Sequence, residues 1–253
     1  MLSILRALMM FSLVGAALCA DTKGDSIVAV SVEPAPEFRF VRLAYNSFMS
    51  GFGRRELYLT DWPEAEEHLL RGVDRLTRIN TATQGAQLSI MDDKLFDYPW
   101  LYAVEVGGWS LSEPEAARLR DYLLRGGFLM VDDFHGSSEW NGFMESMRRV
   151  FPDRSIVEIP TSDSVFHIVY DLDERVQIPG IGANSRGVTY ERDGYVPHWR
   201  GIYDDDGHLM VVINFNMDLG DAWEHADEPQ YPLHYTIRAY QHTINYILYA
   251  MTH

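Results

Sequence analysis

A capped helix signal that runs straight into a short apolar run limits the fold of this chain more than any other feature. Ser112-Glu113-Pro114-Glu115 has the form of a capping box. The helix it opens carries Ala116, Leu119, Tyr122 and Leu123 on one face, and Gly126-Gly127 ends it. Phe128-Leu129-Met130-Val131 follows at once, and Asp132-Asp133-Phe134-His135-Gly136 comes directly after it. A continuous apolar run of this length, entered from a helix, predicts a parallel strand buried on both faces.

The same alternation recurs on either side. Phe38–Tyr45 alternates as a first strand, and Asp61–Ile79 reads as a helix capped by Asp61 with Glu64 as its box partner. Trp100–Val106 is a mostly apolar strand ending in Gly107-Gly108. Ser137 or Ser138 is expected to cap a helix with Trp140, Phe143, Met144, Met147, Val150 and Phe151 inward. Ser155–Ile159 reads as another strand, and residues 160–200 are irregular. Gly201–Tyr203 and His208–Phe215 read as a hairpin around Asp206-Gly207, and residues 216–232 as a polar loop. A helix from about Leu233 to Met251 closes the chain, with Ile237, Tyr240, Ile244, Ile247, Leu248 and Met251 inward and with His234 and His242 at its surface or rim. The expected fold is therefore α/β, with a doubly wound, mostly parallel sheet, a C-terminal hairpin and a final helix.

Met1–Ala20 has one basic residue, an apolar run from Ala7 to Leu18 and small residues at its end, the layout of a secretory signal peptide. The expected organisation is a signal over 1–20, a tether over 21–37 and one α/β domain over 38–253, placed in the periplasm or secreted. Once the signal is removed the chain is not expected to be an integral membrane protein. Cys19 is the sole cysteine, so no internal disulfide can form and no thiolate site is built in the domain. Acidic residues number 37 against 21 basic ones, for a formal net charge of −16. Nucleic acid is a poor partner for such a chain, because phosphate binding needs a basic footprint.

In open α/β sheets, ligands sit at the carboxyl ends of the strands. Asp132, Asp133 and His135 fall there, as a candidate general acid–base set or as metal ligands; the same residues also suit plain turn and helix caps. Gly107 and Gly108 end the neighbouring strand, offering either bare amides to an oxyanion or a simple turn. Asn216, Asp218, Trp223 and Glu224 crowd one segment after an apolar strand, as a polar wall with a stacking ring or as turn formers. His167 is placed to reach the same edge. No HExxH, GxSxG or EF-hand pattern occurs, and no cofactor or particular metal is indicated.

Several blocks together resemble the bacterial family called domain of unknown function 4159. They are Leu95–Tyr102, Leu111-Ser112-Glu113, Leu119–Leu129, Asp132-Asp133, Arg149–Arg154, Phe166-His167 with Tyr170-Asp171-Leu172, Arg200-Gly201-Ile202, Asn216–Gly220 and Trp223-Glu224. The resemblance implies a flavodoxin-like sheet of the class I glutamine amidotransferase-like type, and it brings no reaction with it. Amidotransferases of that type carry a cysteine on a sharp strand-to-helix turn. The matching turn here, Asp132–Gly136, has none, so thiolate hydrolysis of glutamine is excluded. Two expectations remain: a ligand site for a small molecule or cell-envelope component at the strand ends, or a metal-assisted hydrolase using Asp132, Asp133 and His135.

Overall fold

The apolar run after Gly126-Gly127 forms β4 (Phe128–Asp132), and every one of its residues is buried. The computed structural model describes residues 35–47 and 56–253, so the expected signal over 1–20, most of the expected tether and residues 48–55 lie outside it. Among the described residues, seven strands make one sheet in the order β2-β1-β3-β4-β7-β6-β5. They are β1 (Val41–Ala44), β2 (Ala86–Ser89), β3 (Trp100–Val104), β4, β5 (Val157–Glu158), β6 (His198–Tyr203) and β7 (Leu209–Phe215). Pairing is parallel from β2 through β1, β3 and β4 to β7. β6 and β5 extend the β7 edge in antiparallel pairings.

Among the described residues, six α-helices accompany the sheet: α1 (Glu64–Leu76), α2 (Glu113–Leu124), α3 (Gly136–Val150), α4 (Ile181–Ser185), α5 (Leu219–Glu224) and α6 (Leu233–Thr252). Strand side chains alternate between two apolar cores, as the two-residue period of a strand requires. Trp100, Tyr102 and Met130 pack with α1, α5 and α6. Leu101, Ala103, Leu129 and Val131 pack with α2 and α3. Residues Pro36–His253 form one contact unit. No helix among the described residues is long and apolar enough to cross a membrane.

The capping box at Ser112 forms as its spelling requires, with Glu115 Oε2 accepting from both the amide and the hydroxyl of Ser112. Other ends depart from expectation. α1 starts three residues after Asp61, whose backbone is left-handed at φ 62° and whose side chain is buried instead of capping. α3 starts at Gly136, not after Ser137 or Ser138. Asp193 reaches across from the irregular segment and accepts from the amide and hydroxyl of Ser137, so that serine is free of a capping duty. The supposed polar loop after Phe215 contains α5, with Met217, Leu219, Ala222 and Trp223 buried, because it packs on α1 and α6. β2 carries no apolar run and half of it faces solvent, which is why its sequence is silent. On α6, His242 is in the core and Ile237 is exposed.

Candidate functional site

Three parallel strands leave the sheet through a left-handed residue: Glu105 after β3 (φ 55°), Asp133 after β4 (φ 47°) and Asn216 after β7 (φ 64°). Such backbones disfavour a side chain, so they persist only where neighbours hold them. The restraint is lateral. The amide of Glu105 donates to Asp133 O at 3.2 Å, that of Asp133 to Met217 O at 3.2 Å, and that of Asn216 to Phe134 O at 3.1 Å. The strand ends are thereby stitched into one rigid rim.

Asp132 is wholly buried on the α1/α5/α6 side. Its Oδ2 accepts from Tyr102 Oη (3.1 Å) and from the amides of Leu219 (2.8 Å) and Gly220 (3.0 Å). Its Oδ1 has no partner. Burial pushes the carboxyl up to about 7, against the lowering effect of those hydrogen bonds. Asp132, expected to face a ligand at the strand ends, is instead enclosed: this carboxylate anchors the start of α5 and is out of a ligand's reach in this state.

Asp133 lies between that carboxylate and the α3 side. Its Oδ1 is 3.2 Å from His135 Nε2, and both residues are nearly buried. Burial, then Glu105 and Asp61, raise the Asp133 carboxyl well above the usual range. Burial, helped by Arg192, lowers His135 to about 4. The pair is thus a hydrogen bond near neutrality and not a salt bridge, a unit able to hold or pass one proton. Burial and Glu139 raise Glu105 to about 7, and the Glu139 carboxylate accepts from the His135 amide at 2.5 Å while pairing with Arg192.

The structure brings Asp218 to the same acidic group and adds residues the sequence reading did not select. Asp61, Asp218 and Asp221 bring three carboxylate oxygens within 4.8 Å of one another. Burial, then Asp221 and Glu224, push Asp61 well above its ordinary range, and burial, then Asp133, do the same to Asp218. Asp61 escaped notice because its spelling, just before Trp62-Pro63, also fits a helix cap. Glu105 and Glu139 carry no sequence signal beyond their acidity.

Other candidates lie elsewhere or serve packing. Trp223 is not a stacking ring: it is fully buried against Phe40 and Tyr102, with centroids 6.3 and 5.5 Å away. Gly107 and Gly108 are not a bare amide nest. Gly108 N–H donates to Glu105 O at 3.1 Å, and a Cβ on Gly107 would overlap Glu139 on α3. His167 bonds Asp171 (2.9 Å) and the carbonyl of Thr161 (2.8 Å), with no strand-end group among its partners. Asn216 Oδ1 accepts from Gly136 N–H (2.8 Å) and its Nδ2 donates to Val196 O (2.7 Å), so it splices β7, α3 and the irregular segment. Glu224 stands near Asp61 and 3.5 Å from His225 Nε2.

Beyond Asn216 a groove of about 440 Å³ opens between the start of α3 and β6. Trp140, Tyr195, His198, Arg200 and Phe215 line it with Ser137, Asn141 and Asp193. The Arg200 guanidinium lies 4.4 Å over the Trp140 ring, and His198 stacks on Phe215 at 5.9 Å. Glu158 accepts from Arg200 Nε at 2.8 Å and lies 2.7 Å from His198 Nδ1, fixing both. A broader hollow of about 730 Å³ at Asn46, Ser112, Glu113 and Arg149 is built from groups that already serve one another: Asn46 donates to Glu115, Ser112 to Glu115, and Arg149 to Leu111 O. The groove is the better ligand candidate because aromatic rings and exposed polar side chains lie side by side in it.

The fold and this strand-end site define an α/β protein with a mostly parallel seven-stranded sheet, a dry acidic rim and an aromatic groove beside it. Residues 39–251 match the family model described as "Domain of unknown function (DUF4159)", and the chain belongs to that family. No curated protein matches the chain.

Proposed function

We propose that the protein is a non-catalytic ligand-binding module whose groove takes a neutral, sugar-like ligand of the cell envelope. The observation that carries this reading is the groove at the carboxyl end of β7, where rings and amides lie side by side. Its volume suits a small ligand. Sugar C–H faces stack on rings such as Tyr195, which is 62% exposed, while hydroxyls need donors and acceptors such as Asn141 and Asp193. Calorimetry against a panel of uncharged oligosaccharides tests it. Tyr195→Ala and Asn141→Ala should each weaken binding about tenfold with folding intact; no heat from any member of the panel sinks the reading.

Two finer readings belong with it. The strand order β2-β1-β3-β4-β7 supports a flavodoxin-like, amidotransferase-like assignment, since a 2-1-3-4-5 order marks that class. The Met1–Ala20 pattern supports export with signal removal, which mass spectrometry of the exported N-terminus decides.

The alternative is a metal-assisted hydrolase using Asp132, Asp133 and His135. The 3.2 Å Asp133–His135 contact favours it, and the burial of all three residues weighs against it. Hydrolysis of a chromogenic ester, phosphate or glycoside that disappears in His135→Gln would replace the binding reading with this one.

A further inference from the structure

A second chemistry sits on the other side of the rim, and it is independent of the groove. We propose that Asp61, Asp218 and Asp221 form a calcium site.

Three observations converge. The first is the donor set: three carboxylates, each able to present an oxygen within 4.8 Å of the other two. Hard oxygen donors of this kind suit calcium or magnesium. Calcium–oxygen distances of about 2.3–2.6 Å let one ion reach oxygens up to roughly 5 Å apart, whereas magnesium at about 2.1 Å reaches only about 4 Å. Calcium therefore reaches any separation up to that 4.8 Å limit, and magnesium does not.

The second observation is an orphan. Asp61 is 8% exposed, and its Oδ2 has no hydrogen-bond partner. That atom lies 2.5 Å from where Gly220 would carry a Cβ, so it points at the start of α5, beside Asp218. A buried, unpartnered carboxylate oxygen costs about as much as a lost charged hydrogen bond, and a bound cation removes that cost. Arg42, the guanidinium whose charge reaches Asp61, bonds Glu66 through Nε and the carbonyls of Tyr58 and Thr60 through Nη1, and it makes no hydrogen bond to Asp61.

The third observation is the close approach of the carboxylates to the backbone. A Cβ on Gly180 would come within 2.6 Å of Asp218 Oδ2 and 3.0 Å of Asp221 Oδ2. A Cβ on Gly220 would crowd Asp61 Oδ2 and lie 3.4 Å from Asp218 Oδ1. Two glycines on separate elements thus let the three carboxylates converge against the backbone where a side chain would collide, and Glu191 Oε1 lies 3.3 Å from the same position at Gly180. Asp218 Oδ1 accepts from the Asp221 amide at 2.8 Å and Asp221 Oδ2 from the Ile181 amide at 2.6 Å, which fixes the carboxylates in place.

The test uses the full wild-type chain, stripped with chelator. Terbium should bind and emit through Tyr102 and Trp223, which adjoin this site, and calcium should displace it. Saturating calcium, about a hundredfold above its Kd, should raise Tm by roughly 5–10 °C. Asp61→Asn and Asp218→Asn should abolish both signals, and Asn still caps α5 at position 218. Asp204→Asn, in the exposed Asp204–Asp206–His208 group, should keep both. If the Asn variants fail to fold, the wild-type terbium displacement decides alone. Absent calcium-displaceable emission overturns the proposal, as does a calcium shift that survives in both variants. Equal displacement by magnesium at the same concentration overturns the choice of ion.

Discussion

The acidic rim and the aromatic groove lie at the same end of the sheet, yet they treat water in opposite ways. On the rim, Asp61, Asp132, Asp133 and Asp218 are each at most 9% exposed. Asp132, Asp133 and Asp218 spend oxygens on backbone amides, a phenol and a histidine, and Asp61 Oδ2 and Asp132 Oδ1 are buried with no partner. In the groove, Tyr195, Asn141 and Asp193 face solvent, and Arg200 lies flat on a ring. Charge without water is a demand for a partner; rings with water are an offer of contact. The comparison teaches that titratable residues gathered at strand ends need not mark the place where a ligand enters.

The severest way to break the contrast is to remove the floor of the dry side. Trp223→Ala should cost about 3–5 kcal/mol in denaturant unfolding, the range for deleting a buried indole; a loss below about 1 kcal/mol would show that the rim does not rest on this ring. Next comes Asp132. Asp132→Ala strands Tyr102 Oη and the amides of Leu219 and Gly220, and should cost about 2–4 kcal/mol, whereas Asp132→Asn keeps an acceptor for them and should cost under about 1 kcal/mol. Equal losses in the two variants would mean that charge, not acceptor geometry, matters there.

A gentler test uses pH on the same dry side. Burial among Phe166, Trp199 and Tyr246 lowers His242 to about 3. The folded state holds it neutral while the unfolded chain binds its proton near 6.5, so its contribution is complete above that pH and fades below it. The contribution should fall by up to about 1.4 kcal/mol per pH unit from 6.5 towards 3, and His242→Leu should flatten that limb of the stability profile. An unchanged slope in the variant would place the acid sensitivity elsewhere. The smallest effect belongs to the wet side: Tyr195→Ala should change stability by no more than about 0.5 kcal/mol while weakening ligand binding. A larger loss of stability would make Tyr195 a packing residue and sharpen the boundary between the regions elsewhere.

Much of this architecture is legible in the spelling of the chain. The Ser112 box, the run Phe128–Val131 and the apolar stripe of α3 announce themselves because cap chemistry and periodicity are local. β2 and α5 stay hidden because partners distant in sequence create them: Ala86–Ser89 pairs with β1, and Leu219–Glu224 is buried by α1 and α6. The site is legible only in part. Asp132, Asp133, His135 and Asp218 do gather at the strand ends, but whether a carboxylate faces solvent depends on what lies above it. Trp223 illustrates the trap, since a tryptophan among polar letters reads as exposed until the fold turns it inward. The groove was nearly invisible, because Trp140, Tyr195 and Arg200 come from three segments.

The left-handed corners at Glu105, Asp133 and Asn216 have a consequence for how such sites evolve. At a corner of that shape, glycine, asparagine and aspartate are the residues that strain the backbone least. Two of the three corners are filled from that short alphabet before any ligand is considered. Some of the polarity at this end of the sheet is therefore a by-product of turning the chain, and chemistry inherits it ready-made. Glu105 is the exception, a long acid where backbone shape alone would choose otherwise.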